Sequence, residues 1–268
     1  MLFVESLRTS MRNRTNFPQP KRTESQSAYN QDKRDWLMMS AQVQDATYGH
    51  VRRNPAFYET TIGKKFVMAV SGAVLYLYIL AHLAGNLLIY GGREAINNYV
   101  RLLHARPSLL WTARVILLAA VIVHIVTSLE LWWLKHVARP IGYMRKKDVP
   151  PAYASGTMMW SGPIIAGFVI FHVLHLTTGS LGLPFHELDA YGNLVGGFRI
   201  PWVAVIYVIA MTFLAMHVHH GFWSLFQSLG ISHPPLNRKL KFLAHALAIA
   251  IGAGFISIPV MVFIGAVH

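Results

Sequence analysis

Five apolar stretches, at about 66–90, 112–134, 158–178, 202–226 and 243–264, limit what this chain can fold into. A helix rises ~1.5 Å per residue, so each is long enough to cross ~30 Å of hydrocarbon. Apart from Arg114 and Glu130, near the two ends of the second stretch, they contain no Lys, Arg, Asp or Glu. A soluble helical bundle needs a polar stripe on every helix, and these have none. The expected fold is therefore an all-α integral membrane protein with five transmembrane helices in a bundle. Composition agrees: 54% of the residues are hydrophobic and 13% charged, where a soluble domain carries about a quarter charged.

Two parts are expected. Residues 1–58 are polar, Pro-bearing and mixed in charge, and read as a cytoplasmic arm with a short helix near Trp36–Val43. Residues 59–268 form the membrane domain. Met1–Val4 is too short an apolar run to serve as a secretory signal. Lys64 and Lys65 precede the first span, Lys135, Arg139, Arg145, Lys146 and Lys147 follow the second, and Arg238, Lys239 and Lys241 precede the fifth. All fall on one side, which the positive-inside rule makes cytoplasmic, with the N-terminus inside and His268 outside. The opposite loops mix Arg93, Arg101, Arg106 and Arg199 with Glu94, Glu187 and Asp189. In such a chain the net charge of +13 points to anionic lipid or partner surfaces and not to nucleic acid.

The sequence contains no cysteine and 14 histidines. Thiolate-held iron–sulfur clusters, Cys-bound zinc, disulfides and thioether-linked haem are excluded, so a redox cofactor must sit on histidine. His82, His124, the pair His172 and His175, and the cluster His217, His219 and His220 spread over spans 1 to 4; His245 opens span 5. An imidazole in lipid is costly without a partner, which makes these residues functional candidates. Two imidazoles from different helices at one depth supply the axial ligands of a b-type haem. Counted from the span centres, His82 and His172 lie ~6 Å toward the outside, while His124 and His217 lie ~1.5 and ~4.5 Å toward the inside. The expected ligand pairs are thus His82 with His172, and His124 with His217. His175, at ~10 Å outward, and His220, at ~9 Å inward, match less well, and His219 points away from His217. His245 has no evident mate and reads as structural or as an interfacial hydrogen-bonding group.

A weak internal repeat accompanies the ligands. Ser71-Gly72-x9-His82 recurs 90 residues later as Ser161-Gly162-x9-His172, and His124 and His217 are 93 apart, as two related hairpins followed by an extra helix would give. Gly72 and Gly162 admit close approach of a macrocycle or of a neighbouring helix. Tyr76, Tyr78, Phe168, Phe171, Phe222 and Trp223 read mainly as packing.

Ala81-His82-Leu83, Val123-His124-Ile125, Ser161-Gly162-x9-His172-Val173 and His217-x3-Gly221-Phe222-Trp223, in order on consecutive spans, resemble a known family. It is the single-chain, five-helix, two-haem cytochrome b anchor of succinate dehydrogenases and fumarate reductases. The resemblance covers about residues 58–268. It implies two haems b, on His82 and His172 (distal) and on His124 and His217 (proximal), in a bacterial cytoplasmic membrane. It also implies partners: a flavoprotein with FAD, and an iron–sulfur protein docking on the cytoplasmic face; the Lys- and Arg-rich loops place their contacts near the arm and residues 135–157 and 228–243. Electrons would pass between succinate and a membrane quinone, expected to be menaquinone. Asn86, Tyr90, Glu94 and His104 are quinone-site candidates by location alone. Some relatives have a glutamate two residues before the span-4 ligand; here that position is Ala215. Glu130 reads as an interfacial ion-pair former, with Lys135 or a haem-side polar group in reach.

Two other functions compete. A cytochrome b of the quinol–cytochrome c reductase type needs two ligand histidines about four turns apart on each of two helices, and no span has them. A transporter or a non-redox anchor would use the histidines for proton relay or packing.

Overall fold

The computed structural model describes residues 30–40, 56–137, 153–231 and 233–268. The chain divides into two compact units, Met1–Pro55 and Ala56–His268. In the first, residues 30–40 form a helix, beginning before the expected stretch; residues 41–43 lie outside the described part, as do the basic residues Arg139, Arg145, Lys146 and Lys147.

The second unit begins with a 3-10 turn, Phe57–Glu59, and continues as α1 (Thr61–Leu87), α2 (Arg93–His104), α3 (Pro107–Val137), α4 (Tyr153–Leu176), α5 (Ala190–Phe198), α6 (Pro201–Ser228) and α7 (Pro234–Phe263). No strand occurs among the described residues. Five helices are long and apolar enough to cross a membrane: Thr61–Gly91, which takes in the 3-10 extension of α1, Pro107–Val137, Met158–Leu176, Pro201–Ser228 and Pro234–Phe263, with mean hydropathy from 1.6 to 2.3. The protein is thus built as a multi-pass membrane protein.

Local sequence explains where the helices start. Thr60 caps α1, its hydroxyl oxygen accepting from the Gly63 N–H at 2.9 Å. Proline opens α3, α6 and α7, where its missing N–H costs nothing and its fixed φ suits the first turn. Gly92, at φ +86°, turns the chain from α1 into α2 in a conformation only glycine adopts freely.

Packing is uneven. α6 lies along α7, α3 along α1 and α4 along α6, while α1 touches both α6 and α7. In lipid such contacts rest on close fit rather than on escape from water; a Cβ on Gly252 of α7 would stand 2.9 Å from that of Ala215 on α6. No residue in the most apolar window of α3 is buried, against a third in those of α6 and α7. The largest buried cluster lies at the end opposite the basic residues, where Leu194, Val195 and Phe198 of α5 pack with Ile89, Val203, Tyr207, Ile258 and Val262. We call this the capped end; the other, with Lys64, Lys65, Lys135, Arg238 and Lys239, is the basic end.

Asp189 joins the pieces of the cap. As N-cap of α5 it accepts from the Gly192 N–H at 3.1 Å, from Asn97 Nδ2 at 2.8 Å and from Arg93 Nη1 at 2.8 Å. Asn97 Oδ1 in turn accepts from the Tyr191 N–H at 3.0 Å, so α2 is tied to α5. Partial burial alone would raise the Asp189 pKa, but the bonds from Asn97 and Gly192 and the Arg93 guanidinium outweigh it and hold the carboxyl below its usual 3.8. A depressed carboxylate stabilises the fold above the unfolded-state pKa, and the gain is lost as pH falls through the lower folded value. Asp189→Ala is expected to lose about 1–3 kcal/mol at neutral pH. Thermal unfolding in detergent should show that deficit narrowing below about pH 4.

Candidate functional site

Four intramembrane histidines face one another in two pairs. The rings of His82 (α1) and His172 (α4) have centroids 5.8 Å apart at an interplanar angle of 88°. Those of His124 (α3) and His217 (α6) are 6.3 Å apart at 66°. Neither α1 with α4 nor α3 with α6 is among the helix pairs that pack along each other, so the rings meet between helices that stand apart. Two imidazoles sharing a metal along one axis, each nitrogen about 2 Å from it, have centroids about 6 Å apart. The depth pairing expected from the span centres is the pairing the structure brings together.

Each basic-end ring has a serine hydroxyl at its Nδ1. Ser71 donates its hydroxyl to the Met68 carbonyl at 3.0 Å and lies 3.3 Å from His124 Nδ1. Ser161 donates to the Met158 carbonyl at 3.4 Å and lies 3.2 Å from His217 Nδ1. A hydroxyl has one proton. Given to the carbonyl, that proton leaves the serine oxygen as an acceptor for an Nδ1–H, the arrangement in which Nε2 keeps its lone pair; given to Nδ1, it reverses the tautomer. The first arrangement is the one an Nε2 metal ligand needs, and contacts of this type orient ligand histidines. The serines belong to the repeated Ser-Gly steps, so each hairpin makes the same bond. Gly72 also has a reason: a Cβ there would lie 3.2 Å from His124 Cε1, whereas one on Gly162 would meet nothing within 4 Å.

The two pairs sit at different levels. Ser71 touches His124, and His82 lies 11 residues further along the same helix; Ser161 touches His217, and His172 is again 11 residues on. Both helices give a separation of about 16 Å along the bundle.

At the capped-end pair Tyr78 stacks on His82, with centroids 5.3 Å apart at 17°. The Tyr207 hydroxyl is 3.2 Å from His172 Nδ1 and 3.0 Å from His175 Nδ1. Sequence reasoning passed over Tyr207, Ser71 and Ser161 as partners; the serines carried a signal in the repeat, and Tyr207 carried none.

His245 does have a mate: its Nδ1 is 3.2 Å from His219 Nε2, with ring centroids 4.1 Å apart. The mate that the sequence did not reveal is His219, because the rotation that turns it away from His217 turns it toward α7, and of the two expected roles His245 takes that of a hydrogen-bonding group. Glu130 pairs with Lys64 across α1 and α3 rather than with Lys135, and accepts from the Tyr58 hydroxyl at 2.9 Å. Arg114 stays at the mouth of α3 over the Trp111 ring, 5.0 Å from its centroid.

The quinone candidates are only partly gathered. Asn86 donates to the His82 carbonyl at 2.7 Å and Tyr90 to Ser257 Oγ at 2.7 Å. Glu94 lies in the first turn of α2 and His104 in the last, bonded through Nδ1 to the Val100 carbonyl at 2.9 Å. A rise of ten residues separates the last two by about 15 Å, so His104 does not join the others.

Among the described residues no cluster of three or more His, Asp or Glu side chains could by itself hold a metal ion; the spans offer imidazoles in facing pairs, the number a macrocycle-bound metal requires. Compared with protein-family models, with curated proteins and with solved structures, the chain finds no match.

Proposed function

We propose that this protein is the membrane anchor and electron-transfer subunit of a succinate:quinone oxidoreductase, with two bis-histidine haems b. The observation that carries the reading is the pairing of four intramembrane imidazoles at two levels, with ring spacings of 5.8 and 6.3 Å and, at the basic end, a serine hydroxyl 3.3 or 3.2 Å from each Nδ1. His82 and His172 would hold one haem, and His124 and His217 the other. Each haem supplies one-electron chemistry at its iron when bound. The chain's own part is to orient the Nε2 lone pairs, to keep Nδ1 protonated through Ser71 and Ser161, and to hold the two sites about 16 Å apart along the bundle.

The basic end faces the cytoplasm in this reading, as the positive-inside rule requires of a bacterial inner-membrane protein, and the N-terminus lies on that side. A flavoprotein and an iron–sulfur protein dock there, supplying the FAD and the clusters for which this cysteine-free chain has no thiolates. A membrane quinone, menaquinone by the resemblance, reacts near the capped-end pair, with Asn86, Tyr90 and Glu94 the nearest of the candidate residues. In support, Tyr90 and Asn86 extend the helix that carries His82.

Dithionite-reduced minus oxidised visible spectra of the purified protein, with haem extraction for stoichiometry, test the proposal. A b-type spectrum with about two haems per chain is expected. A colourless protein would overturn it and leave the histidines as packing or proton-relay groups; haem without co-purifying flavoprotein and iron–sulfur subunits would keep the cytochrome and remove the succinate assignment.

A further inference from the structure

The Tyr207 hydroxyl stands between two imidazoles, 3.2 Å from His172 Nδ1 and 3.0 Å from His175 Nδ1. Tyr207 is 6% exposed and His175 not at all. His175 lies three residues after His172, on the same side of α4 and nearly one turn further. Its Nε2 has no hydrogen-bond partner among the described residues and abuts α5, where a Cβ on Gly197 would come within 2.6 Å of it. A phenol has a single proton, so it donates to one of the two rings and accepts from the other.

We infer that Tyr207 and His175 form a directional hydrogen-bond chain that holds His172 as the Nδ1–H tautomer and sets the electron affinity of the capped-end site. This rests on the haem reading above. The direction follows from proton counting. If Tyr207 donated to His172 Nδ1, the His172 proton would sit on Nε2 and that nitrogen would have no lone pair for a metal. His172 therefore donates to the phenol oxygen, the phenol O–H donates to His175 Nδ1, and His175 keeps its own proton on Nε2 against Gly197. Acceptance of the Nδ1 proton makes His172 more basic, as outer hydrogen bonds do for ligand histidines, and the second bond polarises the first. A more basic ligand favours oxidised iron. The basic-end rings differ here: their serines pass the proton to a carbonyl of their own helix, not to a second imidazole. Tyr207 and His175 are positioning residues that act through His172.

Redox titration of full-length protein followed at the haem bands tests the chain. Tyr207→Phe removes the acceptor while keeping the ring that packs against Phe198 at 4.8 Å. The capped-end site should then reduce about threefold to tenfold more readily, a rise of about 30–60 mV at 59 mV per tenfold, with the basic-end site unmoved. His175→Leu should move the same site in the same direction by less, and His175→Asn, whose side-chain oxygen can accept from the phenol, should restore it. If Tyr207→Phe loses the capped-end haem, the titration of His175→Leu decides: a rise confined to that site supports the chain, and no change overturns it. Two haems with unmoved potentials in both variants would overturn the chain alone. Wild-type protein without haem would remove the parent reading and the chain with it.

Discussion

Full-length protein carrying His217→Ala is expected to hold one haem in place of two, the one lost being at the basic end. His124→Ala should give the same spectrum, while His82→Ala and His172→Ala should each remove the other haem. An axial ligand is a direct bond to iron, so the expected loss is of a whole group and not of a fraction of affinity. His220, one turn from His217 on α6, is the residue to test as a substitute. His220 joins neither ring pair, and His219 is engaged with His245 across α6 and α7. The rescue to watch is at the other site, where His175 lies near His172 with its own bond to Tyr207. Its ring would have to leave full burial to serve as a ligand. Haem extraction with spectra of the four variants checks the assignment. Two haems retained in His217→Ala, with one lost in His220→Ala, would reassign the α6 ligand.

An imposed membrane potential of 100 mV should shift the distribution of an electron between the two sites about eightfold. The sites are separated by about 16 Å of a hydrocarbon core about 30 Å thick, roughly half the membrane. One elementary charge across 100 mV is worth about 2.3 kcal/mol, so half that path is worth about 1.2 kcal/mol. With the basic side negative, the electron is driven toward His82 and His172. Sealed vesicles poised at partial reduction, with a potassium gradient and valinomycin, give the measurement. In the proposed complex with the flavoprotein and iron–sulfur subunits, succinate–quinone turnover should respond as well, since Ala215, packed against Gly252, offers no carboxylate to compensate the charge. Spectra indifferent to the potential would mean that the two sites share one depth.

Hydropathy carried most of the architecture, because a span must be apolar along its whole length and that pattern survives in one dimension. The order of depths was also readable: counting from a span centre paired His82 with His172 and His124 with His217, although it set the pairs only ~7.5–10.5 Å apart where the helices give about 16 Å. What counting does not give is which way a side chain points around its helix. Tyr207 lies ten residues before His217 in sequence and yet serves His172 on another helix. Lys64 and Glu130 meet across 66 positions, and His219 finds His245 across 26. The serine partners fall between these cases, since the Ser-Gly repeat marked Ser71 and Ser161 without saying what they touch. α2 and α5, too short to span, were lost among the loops, although Ile96, Val100 and Leu103 recur at helical spacing in α2.

The uneven distribution of packing bears on biogenesis. At the capped end the helices are closed on one another by Phe198, Ile89 and Val203 and tied by Asp189, all of it protein against protein. Farther down, α1 and α4, like α3 and α6, approach mainly through their imidazoles. A chain built this way can leave the translocon, cross the bilayer five times and seal one end with no prosthetic group in hand. With haem bound as proposed, maturation is a separate, later event, and a cell short of porphyrin is expected to accumulate an inserted precursor in place of misfolded protein.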